Sequence, residues 1–165
     1  MGCVKFRKRK KKQQDYVSVV KSYRCASPIG RQSFRQEVEL GPFCMDMASI
    51  LHELNHAIGF EHEHLRPDRG DYIEILYENI VSEEGRKNMR MRKSRRNWSV
   101  FNESYDLYSL MHYGPYSYGN GKITIKTKDP FYHNIIGQGK GLSYSDIKKI
   151  RRMYKCPTKL EDSVI

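Results

Sequence analysis

The chemistry of this chain is concentrated in eleven residues, His52-Glu53-Leu54-Asn55-His56-Ala57-Ile58-Gly59-Phe60-Glu61-His62. Residues four apart on a helix lie on one face, a turn above each other, so His52 and His56 can aim imidazole nitrogens at a single ion. Glu53, one step round the helix, can reach water on that ion without ligating it. Gly59 tolerates a positive φ, so the chain can leave the helix sharply and bring His62 back as a third ligand. Three neutral nitrogens leave one position of a tetrahedral Zn2+ open, the arrangement of a catalytic site rather than a structural one. Beside such an ion Glu53 would act as general base, taking a proton from water and passing it to a leaving amine. A bare HExxH motif is moderate support for this reading. The added Gly59 and His62 make it strong.

Several elements must position those side chains. From Phe43 to Phe60 apolar residues recur at helical spacing (Met47, Ile50, Leu51, Leu54 and Ile58), which predicts a helix that Gly59 stops. Upstream, Val4–Phe6 and Tyr16–Val20 read as short strands around the charged loop Arg7–Gln14, and Ser27–Gly30 as a turn. Gln36–Leu40 alternates as an edge strand ended by Gly41-Pro42. Downstream, 64–71 reads as a charged loop, and Ile73–Ile80 suits either strand or helix. Tyr105–Tyr118, broken by Gly114-Pro115, reads as irregular and Lys122–Lys126 as a strand. Ser143 with Asp146 resembles a capping box opening a last helix, with Ile147, Ile150 and Tyr154 along one face and Cys156-Pro157 as its stop.

The 165 residues fit one domain with its own core, and 38% hydrophobic composition with twelve Tyr is globular rather than disordered. No apolar run approaches a membrane span, and Met1–Lys5 holds no apolar stretch of the kind a secretory signal needs. Gly2 and Cys3 before a basic run imitate an acylation anchor, but Phe6 stands where a myristoylation pattern needs Ser or Thr. The net charge of +11 is concentrated in Lys5–Lys12 and Arg86–Arg96. These segments read as solvated loops. Attraction to acidic partners is the sharper alternative. Neither has the interleaved aromatics of base recognition, so no specific nucleic-acid binding is expected. Cys3, Cys25, Cys44 and Cys156 allow three pairings, and none stands in a CxxC spacing. An even count without metal spacing points to two disulfides and an oxidising compartment, with buried free thiols in a cytosolic protein as the alternative.

With a later Met-containing turn, HExxHxxGxxH resembles the metzincin zinc peptidases, and within them the chain resembles the astacin family. That family's extension of the motif is matched by Phe60, His62, Glu63, Arg66, Asp68, Arg69 and Tyr72, and its SxMHY turn by Ser109-Leu110-Met111-His112-Tyr113. Its terminal elements are matched by Cys3 with Phe6, Leu142–Ile147, and Tyr154 with Cys156, so the likeness runs over nearly the whole chain.

The resemblance implies an α+β fold of two lobes. A mixed sheet and the active-site helix would form the N-terminal lobe, and a mostly irregular C-terminal lobe would carry a terminal helix. Residues 1–157 would be the peptidase domain, lacking the family's first strand and helix, and 158–165 a short tail. It implies one Zn2+, Met111 as an apolar floor beneath the histidines, and Tyr113 as a phenol that reaches the metal and swings to the developing oxyanion. It also implies disulfides Cys3–Cys156 and Cys25–Cys44. The strand Gln36, Glu37, Val38, Glu39 and Leu40 would be the rim against which substrate backbone pairs.

Glu63, which in the family lies near a buried N-terminal amine, would have to find Arg66 or Arg69 instead. Glu61 replaces a usual aromatic and Gly70 a usual acidic residue. Of the remaining histidines, His64 is expected to be exposed, His112 packed beside the turn, and His133 in a loop without a role. The expected function is a secreted zinc endopeptidase acting on protein or peptide substrates, with acidic ones favoured by the charge. The alternative is an inactive protease-like module that binds acidic or matrix partners.

Overall fold

In the computed structural model residues 4–91 and 101–157 are described. The first half is built on two strands, β1 (Tyr16–Lys21) and β2 (Arg35–Leu40), paired in parallel with Tyr16 opposite Arg35 and Lys21 opposite Leu40. On its other side β2 takes an antiparallel bridge from Ala26 to Glu39, closed by both amides at 3.1 and 2.8 Å. The sheet is therefore mixed, as expected. Val4–Phe6, by contrast, forms no strand: Phe6 is exposed and the run buries no face that a strand would need.

The helix α1 spans Met47–Ala57, shorter than the Phe43–Phe60 periodicity. Gly41-Pro42 opens a 3₁₀ turn, Pro42–Cys44, and the helix proper starts only where Asp46 caps it, accepting from Ser49 N at 3.0 Å. At its other end Gly59 N–H meets His56 O and Phe60 N–H meets Asn55 O, a Schellman closure. Gly59 adopts φ +113°. The Cys25–Cys44 disulfide (Cα–Cα 5.9 Å) staples the Ala26 segment to the turn that precedes α1.

The second half is largely irregular. Ile73–Ile80 divides into β3 (Ile73–Ile75) and a 3₁₀ turn at Tyr77–Asn79, so both readings of it hold in part. β3 pairs antiparallel with β4 (Ile125–Thr127), which starts later than Lys122 because the amide and hydroxyl of Thr124 bond the loop carbonyls of Pro115 and Ser117. Ile73, Ile80, Met89, Tyr105, Ile125 and Ile136 make the core beneath this pair.

The beginning of the second basic run is solvated as expected, with Arg86, Lys87 and Arg90 exposed, but it is helical rather than a loop. Ser82 caps α2 (Glu83–Asn88), and Met89 beyond it is wholly buried. Residues 92–96 of that run lie outside the described residues, as do Cys3 and 158–165.

The last helix, α3 (Tyr144–Met153), carries the expected capping box between Ser143 and Asp146. The periodicity assigns its inward face to Ile147, Ile150 and Tyr154. The structure buries Asp146 and Lys149 more deeply than any of these.

Candidate metal centre

Three imidazoles converge. His62 Nε2 lies 3.1 Å from His52 Nε2 and 3.1 Å from His56 Nε2. Nitrogens on a tetrahedral zinc at ~2.0–2.1 Å stand about 3.3 Å apart, so the spacing suits one ion. The outer nitrogens fix the tautomers. His52 Nδ1–H donates to Leu110 O (3.0 Å), and His56 Nδ1–H to Phe60 O (2.6 Å). Both Nε2 atoms therefore present lone pairs to the same point, which repel unless a cation lies between them. Burial lowers the pKa of all three rings, His56 to about 4 and His62 well below the ordinary histidine value, keeping them neutral as ligation requires.

Glu53 is buried on the same helix, and among the described residues no donor meets its Oε2. Burial pushes its carboxyl up to about 7. An unpaired buried carboxylate on the residue next to the first of three converging imidazoles is a poor structural device and a good proton acceptor. The donor set and this orphaned oxygen together fit a Zn2+ with an open position.

The Ser109–Tyr113 turn closes the site. Met111 is buried and its carbonyl accepts Glu63 N–H at 2.9 Å, locking the turn to the residue after His62. The Tyr113 ring packs on His62 with centroids 4.4 Å apart and faces the Tyr118 ring at 6.0 Å, and it lies close enough to feel the charge of Glu53. Burial raises the phenol above its usual pKa, so it remains a donor.

Glu63 takes Arg66, one of its two expected partners, at 3.0 Å. It does not take Arg69, whose guanidinium instead holds the carbonyls of His64 and Met89. Its second oxygen receives Lys149 Nζ at 2.9 Å. That partner sits 86 residues away, and no spacing in the sequence identifies it.

His64 is not exposed. It is fully buried, with Nε2 3.1 Å from Asn88 O. His112 is packed as expected, between Tyr105 Oη and the Tyr113 carbonyl, and His133 meets the edge of Tyr116.

The strand Gln36–Leu40 is not a free rim, because the Ala26 bridge already covers it at Glu39. The segment outside it runs from Ala26 to Gly30, whose N–H reaches His56 O at 2.8 Å. Alternation around Val38 suggests an exposed edge, yet Gln36 and Val38 are both buried.

The family model described as Astacin, a peptidase family, matches residues 1–155. Zinc metalloproteinase nas-6 of Caenorhabditis elegans is 40% identical over 163 residues, covering 98% of this chain and 46% of that protein. Astacin-like metalloprotease toxin 1 of Loxosceles intermedia is 38% identical over 166 residues, covering 94% of this chain and 60% of the toxin. Among solved structures, High choriolytic enzyme 1, a hatching enzyme zinc-protease from Oryzias latipes, superposes with a TM-score of 0.81 at 36% identity. That match covers 90% of this chain and 73% of the other. The chain thus spans about half the length of the first curated relative.

Proposed function

The chain belongs to the astacin family, and from that premise we propose that it is a zinc-dependent endopeptidase whose Glu53 serves as the base in peptide-bond hydrolysis. His52, His56 and His62 would hold the one ion, which when bound supplies Lewis-acid polarisation of water and of a carbonyl. Glu53 Oε2 accepts the proton of the attacking water and delivers it to the departing amine. The Tyr113 phenol donates a hydrogen bond to the charge growing on the carbonyl oxygen. Met111 fixes the His62–Glu63 segment from beneath through its carbonyl.

Substrate backbone would lie along the outer edge of Ala26–Ile29, the segment tied to both β2 and the C-terminal end of α1. Protein or peptide substrates are implied, with acidic ones favoured by the net charge of +11. The Cys25–Cys44 bridge supports an extracellular setting, to which a Cys3–Cys156 pair would contribute. Among the described residues no helix is long and apolar enough to cross a membrane.

The observation that carries this reading is the convergence of three Nε2 atoms, together with the buried, unpartnered oxygen of Glu53 on the residue that follows His52. An inactive binding module would need no such arrangement. The test is metal analysis of oxidised protein together with cleavage of a fluorogenic peptide mixture, with and without 1,10-phenanthroline. One zinc per chain and chelator-sensitive cleavage restored by zinc are expected. Protein lacking stoichiometric metal, or cleavage indifferent to the chelator, would reject the proposal.

A further inference from the structure

The inward face of α3 is charged, with Asp146 and Lys149 only 2% and 4% exposed. Their spacing of three residues stacks them on one side of the helix. Asp146 reaches the Ser109–Met111 turn twice: its Oδ1 accepts from Ser109 Oγ at 2.7 Å and its Oδ2 from Leu110 N at 2.9 Å. The carbonyl of that same Leu110 is the acceptor for His52 Nδ1. Lys149 Nζ lies 2.9 Å from Glu63 Oε2 and 3.5 Å from Asp146 Oδ1, between the two carboxylates. Glu63 follows His62 directly, and its Oε1 is held by Arg66 and by Asp106 N–H.

One ammonium therefore sits between the acid that holds the turn behind His52 and the acid attached to His62. His56 needs no help from α3, since its Nδ1 bonds Phe60 O at the end of its own helix. Without the cation, Asp146 would lose the ammonium beside it and Glu63 would keep only Arg66 and the Asp106 amide, leaving two buried carboxylates that repel each other instead of sharing a partner.

We propose that Lys149 is a positioning residue for the metal centre, the shared counter-ion that couples Glu63 and His62 to the Asp146-held turn that orients His52. This rests on the zinc-site reading above. Partners of metal-bound histidines typically contribute 10–100-fold in metal affinity, and two of the three ligands depend on this link.

The test compares wild type with Lys149→Met, which keeps length and apolar volume but removes the charge, and with Lys149→Arg, which keeps the charge. Zinc affinity of metal-stripped protein is read by competition with a chelating dye, and ligand geometry by the visible bands of the Co2+-loaded protein. Lys149→Met is expected to bind zinc roughly 10–100-fold more weakly with altered Co2+ bands, and Lys149→Arg to recover most of both. Ile125→Val, a core truncation away from this path, controls for stability alone and should leave affinity unchanged.

Folded Lys149→Met with wild-type affinity and wild-type Co2+ bands would overturn the inference while leaving the zinc reading intact. If Lys149→Met does not fold, the Glu63→Gln/Lys149→Met pair, which leaves no lone buried charge at Glu63, takes the same titration, and unchanged affinity there overturns it as well. A wild-type protein that binds no zinc removes the parent reading and this one together.

Discussion

The ring of His64 stacks on that of Tyr113, with centroids 4.1 Å apart and planes 23° from parallel. Tyr113 thereby packs against both His64 and His62, whose own centroids are 5.4 Å apart, and His64 is fixed in turn by its contact with Asn88 O. Burial keeps His64 neutral by driving its pKa well below the ordinary value. His64→Ala should open a cavity and destabilise the protein by about 2–4 kcal/mol. It should also lower turnover, because the Tyr113 ring loses its support. His64→Phe keeps the stack and sacrifices only the hydrogen bond, costing about 1–2 kcal/mol. Urea unfolding with steady-state kinetics checks both, and an alanine variant with the wild-type midpoint would refute the packing role.

Glu53→Gln preserves shape and removes the basic oxygen. Turnover should fall ~10²–10⁴-fold or more, the range over which a positioned proton acceptor contributes. Zinc content should not change, since the three imidazoles are held by the carbonyls of Leu110 and Phe60 and by the turn after α1 rather than by Glu53. Wild-type cleavage rates in this variant would remove Glu53 from the chemistry.

Tyr113→Phe leaves the stack on His64 intact and deletes one donor. A donor aimed at developing charge contributes ~10²–10³-fold in kcat. The loss should therefore appear in kcat with KM little moved. Equal kcat for the two proteins would leave Tyr113 a packing residue.

The metal ligands were legible because their geometry is local. His52, His56 and Glu53 share one helix, and the turn at Gly59 that returns His62 spans only a few residues. The capping box of α3 and the strands β1 and β2 were legible for the same reason. What escaped depends on contacts distant in sequence. The burial of His64 follows from Tyr113 and Asn88 closing over it, which no spacing around His64 reveals. Lys149 reads as one more cation on a basic helix until Glu63 is brought 2.9 Å away. The one available signal was Asp146 with Lys149 at a spacing of three, opposite charges on a single face of α3. The Ala26 bridge at Glu39 was not legible, because alternation shows that a strand has two faces but not how many neighbours it has.

Metal-free protein should be acid-sensitive. The pKa of His56 falls from 6.5 to about 4, mainly through burial and then through His52, and that of His112 falls to about 4 through burial. Between these values the unfolded chain binds the proton and the folded one does not, so stability is complete above pH ~6.5 and declines as pH falls toward 4. A shift of this size corresponds to on the order of 3 kcal/mol for a buried ring. Glu53, raised from 4.5 to about 7 by burial, works in the opposite sense over that window, but it is one group against two or more. The chelator-stripped protein should thus unfold at lower urea at pH 5 than at pH 7. A higher midpoint at pH 5 would contradict the assignment of buried neutral histidines.

Gly59 separates two explanations of one substitution. At φ +113° a side chain strains the backbone, and a Cβ there would lie 2.7 Å from Met153 Cε. The clash is with the mobile end of a half-exposed side chain, so it can be relieved, whereas the backbone conformation cannot. The left-handed conformation costs an alanine about 1–2 kcal/mol. Gly59→Ala should therefore destabilise the protein by at least that amount and weaken zinc binding, because the same turn returns His62 to the site. Adding Met153→Ala removes the clash alone. If the backbone dominates, Gly59→Ala/Met153→Ala stays as destabilised as the single variant in urea unfolding and as weak in zinc titration. Full recovery in the double variant would show that close packing against α3, and not the turn conformation, is what requires glycine between the second and third histidines.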